Sequence, residues 1–153
     1  MNGDRDPVVL ALDRMTSSDR CALTSEDPWN GWRGDDPPYH HPVFVPTRHP
    51  REPLVCKGST TFTFVTDGIE SARDQSRTVA AGKDISLAGG AQAARQYLDA
   101  GLVDAMEINL VPIFLGDGND SPLFDGLGVG NPRLAHVRTV AAPGVTHLNF
   151  ERT

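Results

Sequence analysis

The sequence predicts an α/β fold built on a mixed sheet, and three observations support this prediction. Strand-like and helix-like segments alternate between residues 42 and 113, an order that favours parallel neighbouring strands. Two β-rich runs near the C-terminus are separated only by Ala142-Pro143-Gly144, which predicts an antiparallel hairpin. The 15 Gly and 12 Pro among the 153 residues indicate many turns between short elements.

The first half of the chain predicts three strands. Pro7–Leu12 and Pro42–Thr47 are short apolar runs, and Thr61–Thr66 has strong β propensity. Residues 29–38 form a loop by composition. Because proline has no N–H, Pro46 predicts that its strand stops there or lies at a sheet edge.

A helix over Ile69–Ala80 is predicted after the third strand. Thr66 or Asp67 can cap it, because short polar side chains accept hydrogen bonds from the first N–H groups of a helix. Gly82 is expected to end it. The apolar face is modest, so the helix should lie on the surface of a sheet. This face consists of Ile69, Ala72 and Val79.

The second half of the chain predicts another helix and four strands. The helix covers Ala91–Ala100, and Gly101 is its natural stop. The segment after it alternates apolar and polar residues, which predicts a half-buried strand. The four strands are Asp84–Ala88, Val103–Ile113, Arg133–Ala141 and Val145–Arg152.

The most informative segment is DISLAGGAQAARQYL, residues 84–98, which reads as a strand, a double glycine and a helix. Helix N-termini present unpaired N–H groups and bind phosphate, and glycine lets a ligand approach the backbone closely. The segment therefore suits the diphosphate of a nucleotide cofactor. The alternative is a strand-to-helix turn that needs one positive φ angle, since Gly-Gly alone is weaker evidence than GxGxxG.

Sheet topology favours the nucleotide site. In open α/β sheets, ligands bind beyond the carboxyl ends of the strands. Thr47, Thr66 and Gly89 all follow predicted strands at such ends. Parallel pairing would bring these three positions to one edge of the sheet.

Composition and motifs argue against several functional classes. The net charge of -6, without a basic block, does not favour nucleic acid, and no apolar run approaches the ~20 residues of a membrane span. The N-terminus lacks a signal-peptide pattern, and Cys21 and Cys56 lie far apart, which predicts free thiols in a reducing cytoplasm. Cys and His do not cluster at zinc-ligand spacing, so no metal is expected. Neither a nucleophile arrangement nor the HxE…PCxxC deaminase signature is present.

From about Trp29 to Arg152, five segments carry a resemblance. They are GDDPPYHHPVFVPTRHPREPL, TTFTFVTDGIESA, DISLAGGAQAARQYLDAGLVDAMEINLVPIFLGDG, LFDGL and VAAPGVTHLNFER. In their order and spacing they resemble the dihydrofolate reductase-like family that contains the C-terminal reductase domain of the bifunctional riboflavin-biosynthesis protein.

This resemblance implies a dihydrofolate reductase-like three-layer fold, in which a mixed, mostly parallel sheet is flanked by helices and ends in an antiparallel hairpin. It implies a single domain over residues 1–153, of which residues 1–28 are atypical and incomplete. The family's usual opening, VxxxMSLDGxIA, has no counterpart here, so its first strand and helix are expected to be missing. Family members use NADPH and are often homodimers.

The resemblance also implies the cofactor-binding positions. Arg48 suits a 2′-phosphate because a guanidinium can hold phosphate through two parallel hydrogen bonds; the alternative is a solvated loop cation. Thr66 and Asp67 would either border the adenine or cap the helix. Leu115 and Gly116 would either approach the nicotinamide or form an ordinary turn. The implied positions are Thr47 and Arg48 at the adenosine ribose, Gly89, Gly90, Ala91 and Gln92 at the diphosphate, and Leu115 and Gly116 toward the nicotinamide.

Two functions are compatible with these features. One is an NADPH-dependent reductase resembling 5-amino-6-(5-phosphoribosylamino)uracil reductase, which transfers hydride to a small heterocyclic or carbonyl substrate. The alternative is a catalytically inactive remnant that binds a nucleotide or self-associates. No catalytic proton donor is assigned, because the available loop acids are typical of solvated charges. These acids are Asp35, Asp36, Asp117, Asp120 and Asp125.

Overall fold

The computed structural model describes residues 8–10, 34–88, 90–113, 124, 126–127 and 133–153. The chain divides into two compact units, Met1–Ala93 and Ala94–Thr153. Each unit contains one sheet, and helices accompany the strands, so the predicted mixed α/β class is confirmed. The single domain and the three-layer arrangement stay predictions.

Five strands form the sheet of the first unit. They are β1 (Val8–Leu10), β2 (Pro42–Pro46), β3 (Leu54–Val55), β4 (Thr61–Val65) and β5 (Ile85–Leu87). Their order in the sheet is β3-β4-β2-β1-β5. All neighbours are parallel except β3, which pairs antiparallel with β4 at one edge. Strand β3 was not predicted from the sequence.

The N-terminal strand β1 fills an interior position of this sheet. It pairs in parallel with β2 on one side and with β5 on the other. The backbone of β1 therefore finds partners at both of its edges, as a central strand requires.

Strand β2 is interior as well, so Pro46 stops the strand rather than marking a sheet edge. Its residues from Val43 to Pro46 are all buried, in keeping with a parallel strand covered on both faces. Val43, Val45 and Phe62 of β4 have no exposed surface and form the core of the unit. The Tyr39 ring meets Phe62 edge-on, with 6.1 Å between ring centroids.

Helix α1 (Gly68–Ala80) confirms the first predicted helix. It buries Ala72, Ser76 and Ala80, a stripe of small residues at four-residue spacing that permits close approach to β1 and β2. The predicted face included Val79, and this was wrong, because that side chain lies beside the stripe and is 49% exposed. The helix ends where Ala81 adopts a left-handed conformation.

A 3₁₀ turn at Lys57–Ser59 is held against the loop that precedes β2. The Nδ1–H of His40 donates to the Gly58 carbonyl at 2.9 Å, and the Lys57 N–H donates to the Asp35 carbonyl at 2.9 Å. Cys56 precedes the turn as a free thiol, and burial, with a smaller contribution from Asp35, raises its pKa. This thiol therefore stays protonated at neutral pH.

We expect Gly58→Ala to lower the free energy of unfolding by about 2–4 kcal/mol. Gly58 has a φ of +66°, and a Cβ there would collide with the His40 ring and lie 2.7 Å from Asp36 Oδ1. Chemical denaturation measures this loss. Gly82→Ala is the control. Gly82 has a φ of +90° with open space around it, so this variant introduces backbone strain without a collision. Equal losses in the two variants would rule out the predicted collision.

Helix α2 (Ala91–Asp99) follows β5 and confirms the second predicted helix. Its C-terminus is a Schellman motif: the Leu102 N–H donates to the Tyr97 carbonyl and the Gly101 N–H to the Leu98 carbonyl. Gly101 has a φ of +64°, so it is the stop that the sequence predicted. In the described part of the chain, no helix is long and apolar enough to cross a membrane.

The second unit contains three antiparallel strands, β6 (Ala105–Leu110), β7 (Leu134–Ala142) and β8 (Val145–Arg152), in the order β6-β8-β7. The hairpin was predicted correctly, with Gly144 at a φ of +79° in its turn. The expectation that it joins the parallel strands was wrong, because β8 pairs with β6 in a separate sheet. The register of β6 with β8 places Met106 opposite Phe150 and Ile108 opposite Leu148, so these apolar side chains form cross-strand pairs.

Arg152 ties the end of β8 to the segment that follows α2. Its guanidinium donates to the carbonyls of Gly101 and Val103, and its Nε lies 3.0 Å from Asp104 Oδ1. One side chain thus satisfies two carbonyls and one carboxylate within the second unit.

We expect Arg152→Ala to lower the free energy of unfolding by about 1 kcal/mol, because the charged hydrogen bonds are lost from a partly exposed site. Urea denaturation followed by circular dichroism measures the change. Arg138→Ala, on exposed strand β7 of the same sheet, removes the same charge and serves as the control. Arg152→Lys should recover little, because an ammonium cannot reproduce the guanidinium fork. Equal stability of Arg152→Ala and the parent chain would contradict the assignment.

Candidate functional site

Three parallel strands of the first unit end at a common edge. Leu10 pairs with Phe44 of β2 and with Leu87 of β5, so these two residues are level across the sheet. Pro46 of β2 is likewise level with Val65 of β4. The residues after β2, β4 and β5 therefore gather along one carboxyl-terminal edge, where ligands bind in open α/β sheets.

Strand spacing sets the scale of this edge. Strands lie about 4.8 Å apart, and β1 separates β2 from β5, so the ends of β2 and β5 are about 10 Å apart. Thr47 follows Phe44 by three residues, and Gly90 follows Leu87 by three. The two predicted binding segments thus follow strands that end at this edge and that are separated by β1 alone.

Gly90 opens helix α2 at this edge. Its carbonyl accepts a hydrogen bond from the Ala93 N–H at 3.0 Å, which places Gly90 at the N-terminal cap. Apart from its chain neighbours and the backbone of the helix itself, no atom of the described residues lies within 4 Å of the position that a Cβ would take. Gly89 lies outside the described residues.

The two residues after Gly90 form the first turn of α2. Ala91 is half-buried and Gln92 is exposed. Their N–H groups belong to the first turn of the helix, where backbone donors have no acceptor within the helix itself. An anion at this edge would meet those donors together with the positive end of the helix dipole.

Thr47, Arg48 and His49 form a turn after β2. The Thr47 N–H donates to the Val65 carbonyl at 2.9 Å, and the His49 N–H donates to Thr47 Oγ1 at 3.2 Å. Thr47 is half-buried, whereas Arg48 and His49 are exposed. The bond between His49 and Thr47 was not foreseen, although a threonine two residues before an available N–H is a known turn signal.

Thr66 and Asp67 follow β4 and are both exposed at the same edge. Asp67 occupies the N-cap position of α1, but its side chain makes no capping hydrogen bond. The prediction of a side-chain cap was therefore wrong. An N-cap residue that bonds the first turn has an extended backbone, whereas Asp67 has φ -91° and ψ 17°, and the chain enters the helix through Gly68 at φ +93°.

Several predicted positions lie outside the described residues or away from this edge. Leu115 and Gly116 lie outside the described residues, as do three of the loop acids, Asp117, Asp120 and Asp125. The other two, Asp35 and Asp36, are exposed in the loop before β2, and Asp35 is 3.9 Å from Lys57 Nζ. No proton donor is assigned.

A polar cluster in the second unit was missed from the sequence. His147 Nδ1 donates to Asn109 Oδ1 at 2.5 Å and lies 3.6 Å from Glu107 Oε1. Strand alternation places Glu107 and Asn109 on one face of β6, and the pairing of β6 with β8 sets His147 opposite Asn109. Among the described residues, no three His, Cys, Asp or Glu side chains are grouped so that they could hold a metal ion.

The chain has clear relatives by family and by fold. The family model for the RibD C-terminal domain matches residues 15–148. A pyrimidine reductase-like protein from Corynebacterium diphtheriae is similar in structure, with a TM-score of 0.57, at 15% identity over 96% of this chain and 75% of that chain. This likeness supports the fold.

Two structures of RibD from Acinetobacter baumannii have TM-scores of 0.47 and 0.48, at 13% identity over 95% of this chain. The chain spans 47% and 46% of those RibD chains, or about half of their length. No curated protein sequence matches the chain with statistical significance.

Proposed function

Because this chain belongs to the RibD C-terminal domain family, we propose that it is an NADPH-dependent reductase of the riboflavin-pathway type. Its substrate would be a small heterocyclic or carbonyl compound. The observation that supports this proposal is the shared edge of the parallel sheet, where the Thr47 turn follows β2 and the Gly90 helix start comes after β5, with β1 between these two strands.

The residues at this edge fit a dinucleotide. Gly90 leaves open space at the helix start, where a side chain would keep a ligand away from the backbone. A diphosphate could therefore approach the N–H groups of Ala91 and Gln92 closely, as phosphate does at other helix N-termini. Gly89, which precedes this position, is proposed to share the role.

Arg48 is the proposed partner of the 2′-phosphate that distinguishes NADPH from NADH. It is exposed at the end of β2, one strand away from the helix start. Other charges follow the same strands: Arg51 and Glu52 lie in the loop after β2, and Asp67 follows β4, where its carboxylate would repel a phosphate. The Arg48 guanidinium could hold a phosphate through two parallel hydrogen bonds, so we propose it as the phosphate-binding group of this edge.

The bound cofactor would supply hydride, and the chain would bind and orient it. Thr47 would lie beside the adenosine ribose. Leu115 and Gly116 are proposed to meet the nicotinamide and the substrate. We also propose that the protein acts in the cytoplasm as a homodimer.

Titration with NADPH and NADH tests the proposal, with nicotinamide fluorescence and melting temperature followed together. A binder is stabilised by about 2.7 kcal/mol at a hundredfold excess of ligand over Kd. Saturable binding with NADPH preferred would support the reductase, and a substrate screen for NADPH oxidation would follow. Binding without turnover of any pyrimidine or carbonyl substrate would favour the inactive remnant. A folded protein that binds neither dinucleotide would refute the cofactor site.

A further inference from the structure

The turn that carries Arg48 is restrained at both ends. Pro46 and Pro50 bracket the three residues Thr47 to His49, and each proline fixes its own φ angle. His49, as the residue before a proline, is biased toward extended conformations. The remaining backbone freedom of the turn is therefore largely that of Thr47 and Arg48.

Thr47 removes much of that remaining freedom through two hydrogen bonds. Its N–H donates to the Val65 carbonyl of β4 at 2.9 Å, which continues the sheet pairing one residue beyond Pro46. Its Oγ1 accepts from the His49 N–H at 3.2 Å, across Arg48. The hydroxyl therefore closes the turn over the residue whose side chain reaches solvent.

We propose that Thr47 is a positioning residue that fixes the direction of Arg48 and thereby determines the preference for a 2′-phosphorylated dinucleotide. This inference rests on the proposed function. A preorganised side chain loses less freedom on binding, so a closed turn strengthens a phosphate contact that an open turn would weaken. Thr47 then acts through Arg48 rather than through a bond of its own to the ribose.

The two roles of Thr47 predict different binding patterns. A direct ribose contact would be shared by NADPH and NADH, because both carry the adenosine ribose, so its loss would weaken both ligands. A positioning role would weaken NADPH selectively, because only NADPH carries the phosphate that Arg48 would hold. Moreover, the effect would vanish once Arg48 is absent.

The experiment compares Thr47→Val, which removes the hydroxyl at nearly constant shape, with Thr47→Ser, which keeps it. We expect Thr47→Val to weaken NADPH binding about fivefold, the worth of one hydrogen bond, and to leave NADH binding unchanged. Thr47→Ser should restore the NADPH affinity. Thr78→Val is the matched control, since the Thr78 hydroxyl donates to the Asp74 carbonyl at 3.0 Å on α1, away from the turn.

A double-mutant cycle completes the test. In an Arg48→Ala background, Thr47→Val should have no further effect on NADPH affinity. Equal weakening of NADPH and NADH, or an undiminished effect in that background, would overturn the positioning role while the cofactor site stands. Failure of the unsubstituted protein to bind NADPH would instead overturn the proposed function and this inference with it. Melting temperatures of all variants confirm that each is folded.

Discussion

Gly90→Val is expected to weaken NADPH binding about a hundredfold, a loss of about 2.7 kcal/mol, while the protein stays folded. Outside the adjoining residues and the helix backbone, no described atom lies within 4 Å of the position of the new Cβ, so we expect the valine to fill the space proposed for the diphosphate without unfolding the protein. Fluorescence titration gives the affinity, and thermal unfolding without ligand gives the stability.

Two comparisons make this result specific to the site. Gln96→Val places the same β-branched side chain at an exposed position later in α2 and should leave the affinity unchanged. Gly90→Ala adds only a methyl group and should have a smaller effect than valine. Undiminished NADPH binding by a folded Gly90→Val protein would show that the diphosphate does not lie against this turn.

Arg48→Ala is expected to remove the preference for NADPH over NADH. Charged hydrogen bonds contribute about 1.5–3 kcal/mol, so NADPH affinity should fall by about ten- to a hundredfold and NADH affinity should hardly change. The remaining difference between the two ligands should become small. Titrations at two salt concentrations add a second measurement, because a phosphate contact weakens as salt screens it.

Arg77→Ala provides the charge-matched control for this substitution. Arg77 is exposed on α1, so its removal changes the net charge equally without altering the turn after β2. Arg48→Lys should keep part of the NADPH preference, since an ammonium attracts phosphate but cannot form the two parallel bonds of a guanidinium. If Arg48→Ala kept the full NADPH preference, Arg48 would be the solvated loop cation of the alternative interpretation.

Local signals in the sequence predicted most of the described elements. Both helices began within one residue of the predicted starts, because small or polar residues precede them. Gly101 ends α2 with a positive φ angle as predicted, whereas α1 ends at Ala81, one residue before the predicted Gly82. The strands next to β1 were predicted from apolar runs and β propensity. The family match over residues 15–148 confirms the resemblance that those same segments carried.

Long-range pairing was harder to predict than local structure. Strand alternation places residues on a face but does not choose a partner strand, so the pairing of β6 with β8 in a separate sheet was missed. The two-residue strand β3 was too short to leave a periodic signal. The buried stripe of α1 differed from prediction because small residues such as Ser76, rather than the larger Val79, allowed the helix to approach the sheet.

The candidate site was predicted through topology more than through individual side chains. The expectation that strand ends converge required only parallel order, and the register of Leu10 with Phe44 and Leu87 agrees with it. Two local features were harder to predict: the missing side-chain cap at Asp67 and the hydrogen bond from the His49 N–H to Thr47 Oγ1. Both depend on backbone angles that the identity of a single residue does not determine. The roles of the implied cofactor positions stay predictions.

The interior place of β1 has a consequence for how the chain is made. Val8 pairs with Ile85, so this strand leaves the ribosome long before its second neighbour exists. Closing so long a loop is entropically costly and slow, which delays the completion of the sheet. A nascent chain would therefore form the turn after β2 before the helix start at Gly90 can join the same edge.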